Sequence, residues 1–391
     1  MNRIIRPQTS RMIPLTAYTA YIEPTDDLSY DELSASQKKV VDVVNENIEL
    51  YKRTGATLKH GVIVVGSWGA GKSQVLRTMR RMGLIAAILE RGEIYRWVSK
   101  DVELKKEKTI EKILENIRWM AERAKWPFIA LDNPDIPLGS NVTEEAAFRF
   151  TWRLLEEATF GKLPYLIVTL NEFTYKKFSD EKRVSMAKIA QHFDIVRLVW
   201  SPEDIEKAVK TRLLKKMNIG SKEKELLKEV AKVARTPRSA IILFAKGLAK
   251  KKSILELIVD DGLRNAFEEY IRLLSQSGYK LSKAKSKRWV EVWKNIINNK
   301  KYRNLVIGLI KREGVSTREL YKTLGEGGKY KVAHWPVTAA TRYHIIEKFE
   351  PLLYRFTDEF LAAATEYAAG LVYTALEILR NMAELYGKIG R

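Results

Sequence analysis

A chain of 391 residues exceeds one ordinary domain of about 100–200 residues, so two or three domains are expected, and a hydrophobic content of 46% can give each a core. The absence of cysteine excludes disulfides, iron–sulfur clusters and cysteine-ligated zinc, and no uninterrupted run of 18 apolar residues offers a membrane span. A formal charge of +21 points to a polyanionic partner.

The first 35 residues hold Pro7, Pro14 and Pro24 without clear periodicity and are expected to form an N-terminal arm. Charge and proline stand where a signal peptide would be apolar, so a cytoplasmic location is expected. Val40, Val41, Val44 and Ile48 recur at helical spacing over 36–53. A buried strand, 61–65, then runs into Gly66, Ser67, Trp68, Gly69, Ala70, Gly71, Lys72 and Ser73, which match the phosphate-binding loop G-x-x-x-x-G-K-[ST] and open a helix. Glycines allow the backbone to wrap phosphates with its N–H groups inward, and the positive end of the helix dipole adds attraction. Lys72 is assigned to the β/γ-phosphates and Ser73 to Mg²⁺, making ATP and Mg²⁺ the expected cofactors.

A strand is predicted at 93–98 and a helix at about 109–124. Residues 126–132 then read as an apolar strand that delivers Asp132 beside the phosphates, where it orients Mg²⁺. A helix at 143–158, a strand ending at Asn171, a further strand at 194–200 and wholly helical periodicity from Pro202 to about 275 follow. The alternation predicts an α/β fold with a parallel sheet covered by helices over 36–200, then a helical lid over 201–276.

Residues 277–391 are read as a basic domain. Between Tyr279 and Lys331 stand 15 Lys/Arg against 4 Asp/Glu, making this the expected surface for double-stranded DNA. Helices over 302–313 and 316–324 suggest a helix-turn-helix, with a recognition helix expected at 336–348. That helix would turn Thr338, Thr341, Arg342 and His344 to a groove, with Lys329 and Lys331 near phosphates. Trp289 and Trp293 read as core anchors, the four scattered histidines suggest no metal site, and 361–385 reads as one long C-terminal helix.

The phosphate loop, the Asp132 strand, the Asn171 strand and the segment 234–240 resemble, in order and context, an AAA+ ATPase, and the run from Asn171 through Arg183 to Leu213 resembles, within that class, the archaeal replication-initiator family of origin-recognition and cell-division-control proteins. The likeness spans roughly 36–250. It implies that Asn171 is sensor 1, which positions the attacking water, that Arg238 is sensor 2 in the lid, and that Arg183 is an arginine finger reaching a neighbouring subunit. It also implies a winged-helix C-terminal domain, homo-oligomers or other AAA+ subunits, a helicase partner, and ATP acting as an assembly switch in replication initiation or helicase loading. A mobile-element helper ATPase and a regulatory switch with a protein-binding C-terminal domain are the alternatives. The sequence departs from the AAA+ pattern at Asn133, where a glutamate base usually follows the aspartate, so hydrolysis is expected to be slow unless another carboxylate such as Asp135 serves.

Overall fold

In the computed structural model, residues 28–95, 107–136, 142–161, 163–181, 183–213, 220–250, 253–280, 284–325 and 330–387 are described. Helix α1 (Ala35–Thr54) begins in a reciprocal cap between Ser34 and Gln37 and ends at Gly55 in the left-handed conformation. The first layer alternates strands and helices: β1 (Gly61–Val65), α2 (Lys72–Arg81), β2 (Ala87–Glu90), α3 (Glu107–Glu122), β3 (Phe128–Asp132), α4 (Glu144–Thr159), β4 (Tyr165–Leu170), α5 (Glu172–Glu181), α6 (Arg183–His192) and β5 (Phe193–Arg197). The five strands form one parallel sheet in the order β2-β3-β4-β1-β5. β1, β3 and β4 are buried throughout, as continuous apolar runs covered on both faces require. Their C-terminal ends carry Gly66, Asp132 and Asn171 to one edge.

One strand differs from the sequence expectation. β2 lies at 87–90, and Arg91–Ile94 is a single helical turn. Ile94 and Tyr95 are buried all the same, with the Tyr95 hydroxyl donating to the Pro134 carbonyl, so their apolar character reflects packing of a turn.

Over the stretch expected as a lid the chain is helical: α7 (Pro202–Leu213), α8 (Ser221–Val233), α9 (Pro237–Lys250) and α10 (Arg264–Gln276), the last entered through a π-helical segment, Leu257–Leu263. α11 (Ala284–Asn298) buries Trp289 and Trp293 in the core, as expected. Then come α12 (Arg303–Ile310), β6 (Val315–Ser316), α13 (Thr317–Leu324), α14 (Tyr330–Arg342), β7 (Ile346–Glu350) and β8 (Leu353–Phe356), with the strands in a small antiparallel sheet of order β6-β8-β7. The helix expected at 336–348 is therefore shifted: α14 ends at Arg342, His344 takes φ 56° in the turn, and the chain continues as β7. The long C-terminal helix is two, α15 (Asp358–Ala369) and α16 (Val372–Tyr386), divided at Gly370 with φ 82°. Helix α15 is buried on nearly every face between the π-helical segment, α9 and α16. Among the described residues no helix is long and apolar enough to cross a membrane.

Candidate functional site

The turn between β1 and α2 is built for close approach. Gly69 and Gly71 take φ 77° and 85°, a region L-residues avoid, and a Cβ at Gly71 would stand 2.7 Å from Gln37 Nε2. A Cβ at Gly69 would collide with the stem of Arg238, which crosses the loop. Gln37 Nε2 donates to the Gly71 carbonyl at 3.1 Å, and Trp200 Nε1 donates to the Ala70 carbonyl at 2.9 Å, so α1 and the segment after β5 brace the loop from outside.

Lys72 is buried. Its ammonium donates to the carbonyls of Gly66 (2.7 Å) and Ser67 (3.2 Å) and to Asn171 Oδ1 (2.8 Å). Burial lowers its pKa from the ordinary lysine value, opposed by the negative charges of Asp135, Asp132, Glu359 and Glu172. Asp132 accepts from Thr169 Oγ1 at 2.8 Å and from Asn133 Nδ2 at 3.0 Å, while the Asn133 N–H donates to Thr169 Oγ1 at 2.8 Å. The carboxylate is thereby fixed at the end of β3, and Asn133 itself stands at φ 50°. Asp135 lies deeper, accepting from Thr174 Oγ1 (2.5 Å) and the Asn171 N–H (3.4 Å), and burial raises its pKa above the usual carboxylate value. It does not line the cleft, so its first effect is to anchor Asn171 from behind.

Lys72, Ser73, Asp132, Asn133, Asn171 and Arg238 all border one cavity of about 300 Å³, whose other wall includes Trp200 and Ile241. Backbone amides, one buried ammonium, a guanidinium, a hydroxyl and a carboxylate, with an apolar wall beside them, fit a nucleoside triphosphate with Mg²⁺: Ser73 and Asp132 are hard oxygen donors, and the cations suit phosphate.

The other expected site residues fare differently. Arg183 opens α6, but its side chain lies outside the described residues. Lys329 and the side chain of Lys331 also lie outside them. Arg342 is exposed at the end of α14. His344 is not available to DNA: it is 2% exposed, stacks on Tyr386 with ring centroids 4.9 Å apart, and shares a 3.2 Å hydrogen bond between Nε2 and Glu359. His344 stands at φ 56° in the turn that ends α14, with its ring packed into the core.

Sequence reasoning missed a group of C-terminal partners. Asp358 Oδ2 accepts from Ser67 Oγ at 3.0 Å, and its other oxygen pairs with Arg235 at 2.8 Å. Arg235, buried, also donates to the carbonyls of Leu309, Ile310 and Phe356, and Arg312 donates to those of Trp200 and Ala234. Arg238 Nε meets Glu366 at 2.7 Å. Asp358 and Glu359 are legible only as first-turn acids behind the Thr357 cap; their contacts come from 291 residues' separation in the case of Ser67.

No protein-family model matches the sequence, and no curated protein does. Among solved structures, the chain is similar to domain III of the replication initiation protein DnaA of Thermotoga maritima (14% identity, 59% of this chain and 90% of that one, TM-score 0.38). It is also similar to the ORC2 protein of Aeropyrum pernix, in ADPNP–ADP complexes (11%, 91% and 98%, 0.39), and to a Walker-type ATPase of Pyrococcus abyssi (11%, 84% and 95%, 0.47). In this chain a five-stranded parallel sheet carries a phosphate loop after its first strand and an acid and an asparagine at the ends of two others, and a following helix returns Arg238 to the loop, which is a P-loop α/β nucleotide-binding fold.

Proposed function

We propose that the chain is an ATP-dependent, DNA-binding AAA+ protein of the replication-initiator type, with slow intrinsic hydrolysis. The observation that carries the nucleotide part is the convergence of Lys72, Ser73, Asp132, Asn171 and Arg238 on one cavity from four separate segments. Lys72 would hold the β/γ-phosphates, Ser73 and Asp132 the Mg²⁺, and Asn171 would orient water; bound Mg²⁺ supplies charge neutralisation at the phosphoryl group. Asn133, at the position next to Asp132, has an amide that accepts no proton, which supports slow turnover.

The DNA-binding part is supported by the order α12-β6-α13-α14-β7-β8, a winged-helix arrangement, with Thr338 and Arg342 exposed on α14 and Lys348 exposed on the β7–β8 hairpin. The basic excess over 279–331 belongs to the same region. Oligomerisation with Arg183 as a finger in trans, and helicase loading as the role, complete this reading. One observation favours a second: the contacts between α15 and the phosphate loop suit a nucleotide switch that exposes a protein-binding surface. Mg²⁺-dependent ATP turnover by the full chain tests the first part. Asp132→Asn is expected to cut turnover at least tenfold while sparing nucleotide affinity, since charge on the metal matters most in the transition state. Duplex DNA titrated at two salt concentrations tests the second part, and salt-insensitive or absent binding moves the assignment to the protein-partner switch.

A further inference from the structure

We propose that Glu366 on α15 competes with the γ-phosphate for Arg238, so that the acidic side of this C-terminal helix sets the chain's discrimination between ATP and ADP. The inference rests on the ATP reading above. Arg238 borders the cavity together with Lys72 and Asn171, and its stem lies across Gly69 of the phosphate loop. Its guanidinium meets Glu366 at 2.7 Å, and the two side chains are 16% and 2% exposed. A terminal phosphate presents this arginine with the same chemistry as the carboxylate, a fork of anionic oxygens.

Burial makes the exchange consequential. A carboxylate 2% exposed gains from a cation at 2.7 Å, and drawing that cation away costs more in this setting than it would at the surface. Glu366 lies on a helix with two more acids directed at the same apparatus: Asp358, hydrogen-bonded to Ser67 of the phosphate loop at 3.0 Å, and Glu359, whose charge acts on Lys72. ADP has no γ-phosphate to compete, so it leaves the Arg238–Glu366 pair in place. ATP draws Arg238 toward the cavity and weakens the hold of α15 on the lid and the loop. Because Arg235 ties Asp358 to the carbonyls of Leu309, Ile310 and Phe356, displacement of α15 is felt by α12 and β8 of the small-sheet domain. Glu366 acts here as a positioning residue, through Arg238.

The experiment uses the full chain with Mg²⁺, ADP and a non-hydrolysable ATP analogue. In the wild type, amide hydrogen exchange across 358–369 is expected to quicken with the analogue and to stay unchanged or slow with ADP. Glu366→Gln keeps the shape and removes the charge. It is expected to tighten the analogue by about fivefold or more, with ADP affinity within about twofold of wild type. Equal effects on the two nucleotides, or wild-type exchange at α15 that does not distinguish them, would overturn the proposal and leave Glu366 as a static brace. If the variant does not fold, the wild-type exchange comparison decides alone. If folded wild-type protein binds neither nucleotide, the ATP reading itself fails and this inference with it.

Discussion

Lys72 is held by two loop carbonyls and Asn171, neutral acceptors with which an anionic phosphate oxygen competes as the stronger partner for the ammonium. Removing the ammonium leaves backbone dipoles as the loop's own contribution. Lys72→Ala is therefore expected to weaken ATP affinity by about a hundredfold or more, measured by titration calorimetry on folded protein. Asn133 poses a different question. At φ 50° it occupies a conformation that asparagine tolerates and glutamate does not, and its amide props Asp132. Asn133→Glu should raise kcat by about tenfold or more by supplying a base, while costing about 1–2 kcal/mol of stability from backbone strain and the adjacent like charge. Unchanged kcat in a folded variant would place the base on another residue or a partner subunit.

At the scale of elements, legibility in the sequence followed burial. β1, β3 and β4 are central strands covered on both faces, so their sequences are almost wholly apolar, and each delivers at its C-terminal end the residue that matters: Gly66, Asp132 and Asn171. β2 is an edge strand of four residues with one buried, and it lost out to the β-branched and aromatic run Ile94, Tyr95, Trp97 and Val98 that follows it in the sequence. The C-terminal helices misled for another reason. Leu361 to Leu385 keeps apolar periodicity across Gly370, whose φ of 82° ends α15, so the pattern persists while the axis changes. The glycines at this junction separate two physical effects. Gly370 has open space around a would-be Cβ, so Gly370→Ala is expected to cost about 1–2 kcal/mol from the left-handed backbone alone. At Gly262, in the π-helical segment, a Cβ would run into the Ala364 carbonyl and touch Ala368 at 3.3 Å. Gly262→Ala should cost as much as or more than that, about 1–3 kcal/mol, and should loosen α15 from the lid. Denaturant unfolding, with hydrogen exchange at 358–369, checks both size and place.

For the whole molecule, the C-terminal third is bound into the rest of the protein. Tyr386 Oη donates to the Phe173 carbonyl at 3.1 Å, Lys177 Nζ to the Leu385 carbonyl at 3.0 Å, and Tyr270 Oη to the Tyr343 carbonyl at 2.7 Å. Such links between segments 73 to 213 residues apart leave no trace in local periodicity, which is why a boundary at 277 looked clean in the sequence. They also mean that DNA binding is to be measured on the full chain, because a fragment starting there would expose the faces of α15 and α16 that pack on α10 and α4. With the small sheet at its base, α14 can enter a major groove only by the face carrying His334, Thr338 and Arg342, since Val337, Ala339 and Ala340 are buried and His344 points into the core. If that face reads bases, Arg342→Ala narrows the affinity gap between a preferred site and random duplex by about 1–3 kcal/mol. Lys331→Ala, by contrast, lowers affinity for both duplexes alike and reduces the salt slope by about 0.9, the signature of one lost phosphate contact. Competition titrations of each variant at several salt concentrations separate the two outcomes. Equal loss on both duplexes from Arg342→Ala would make it a backbone contact, and no loss from either variant would move the DNA surface away from α14.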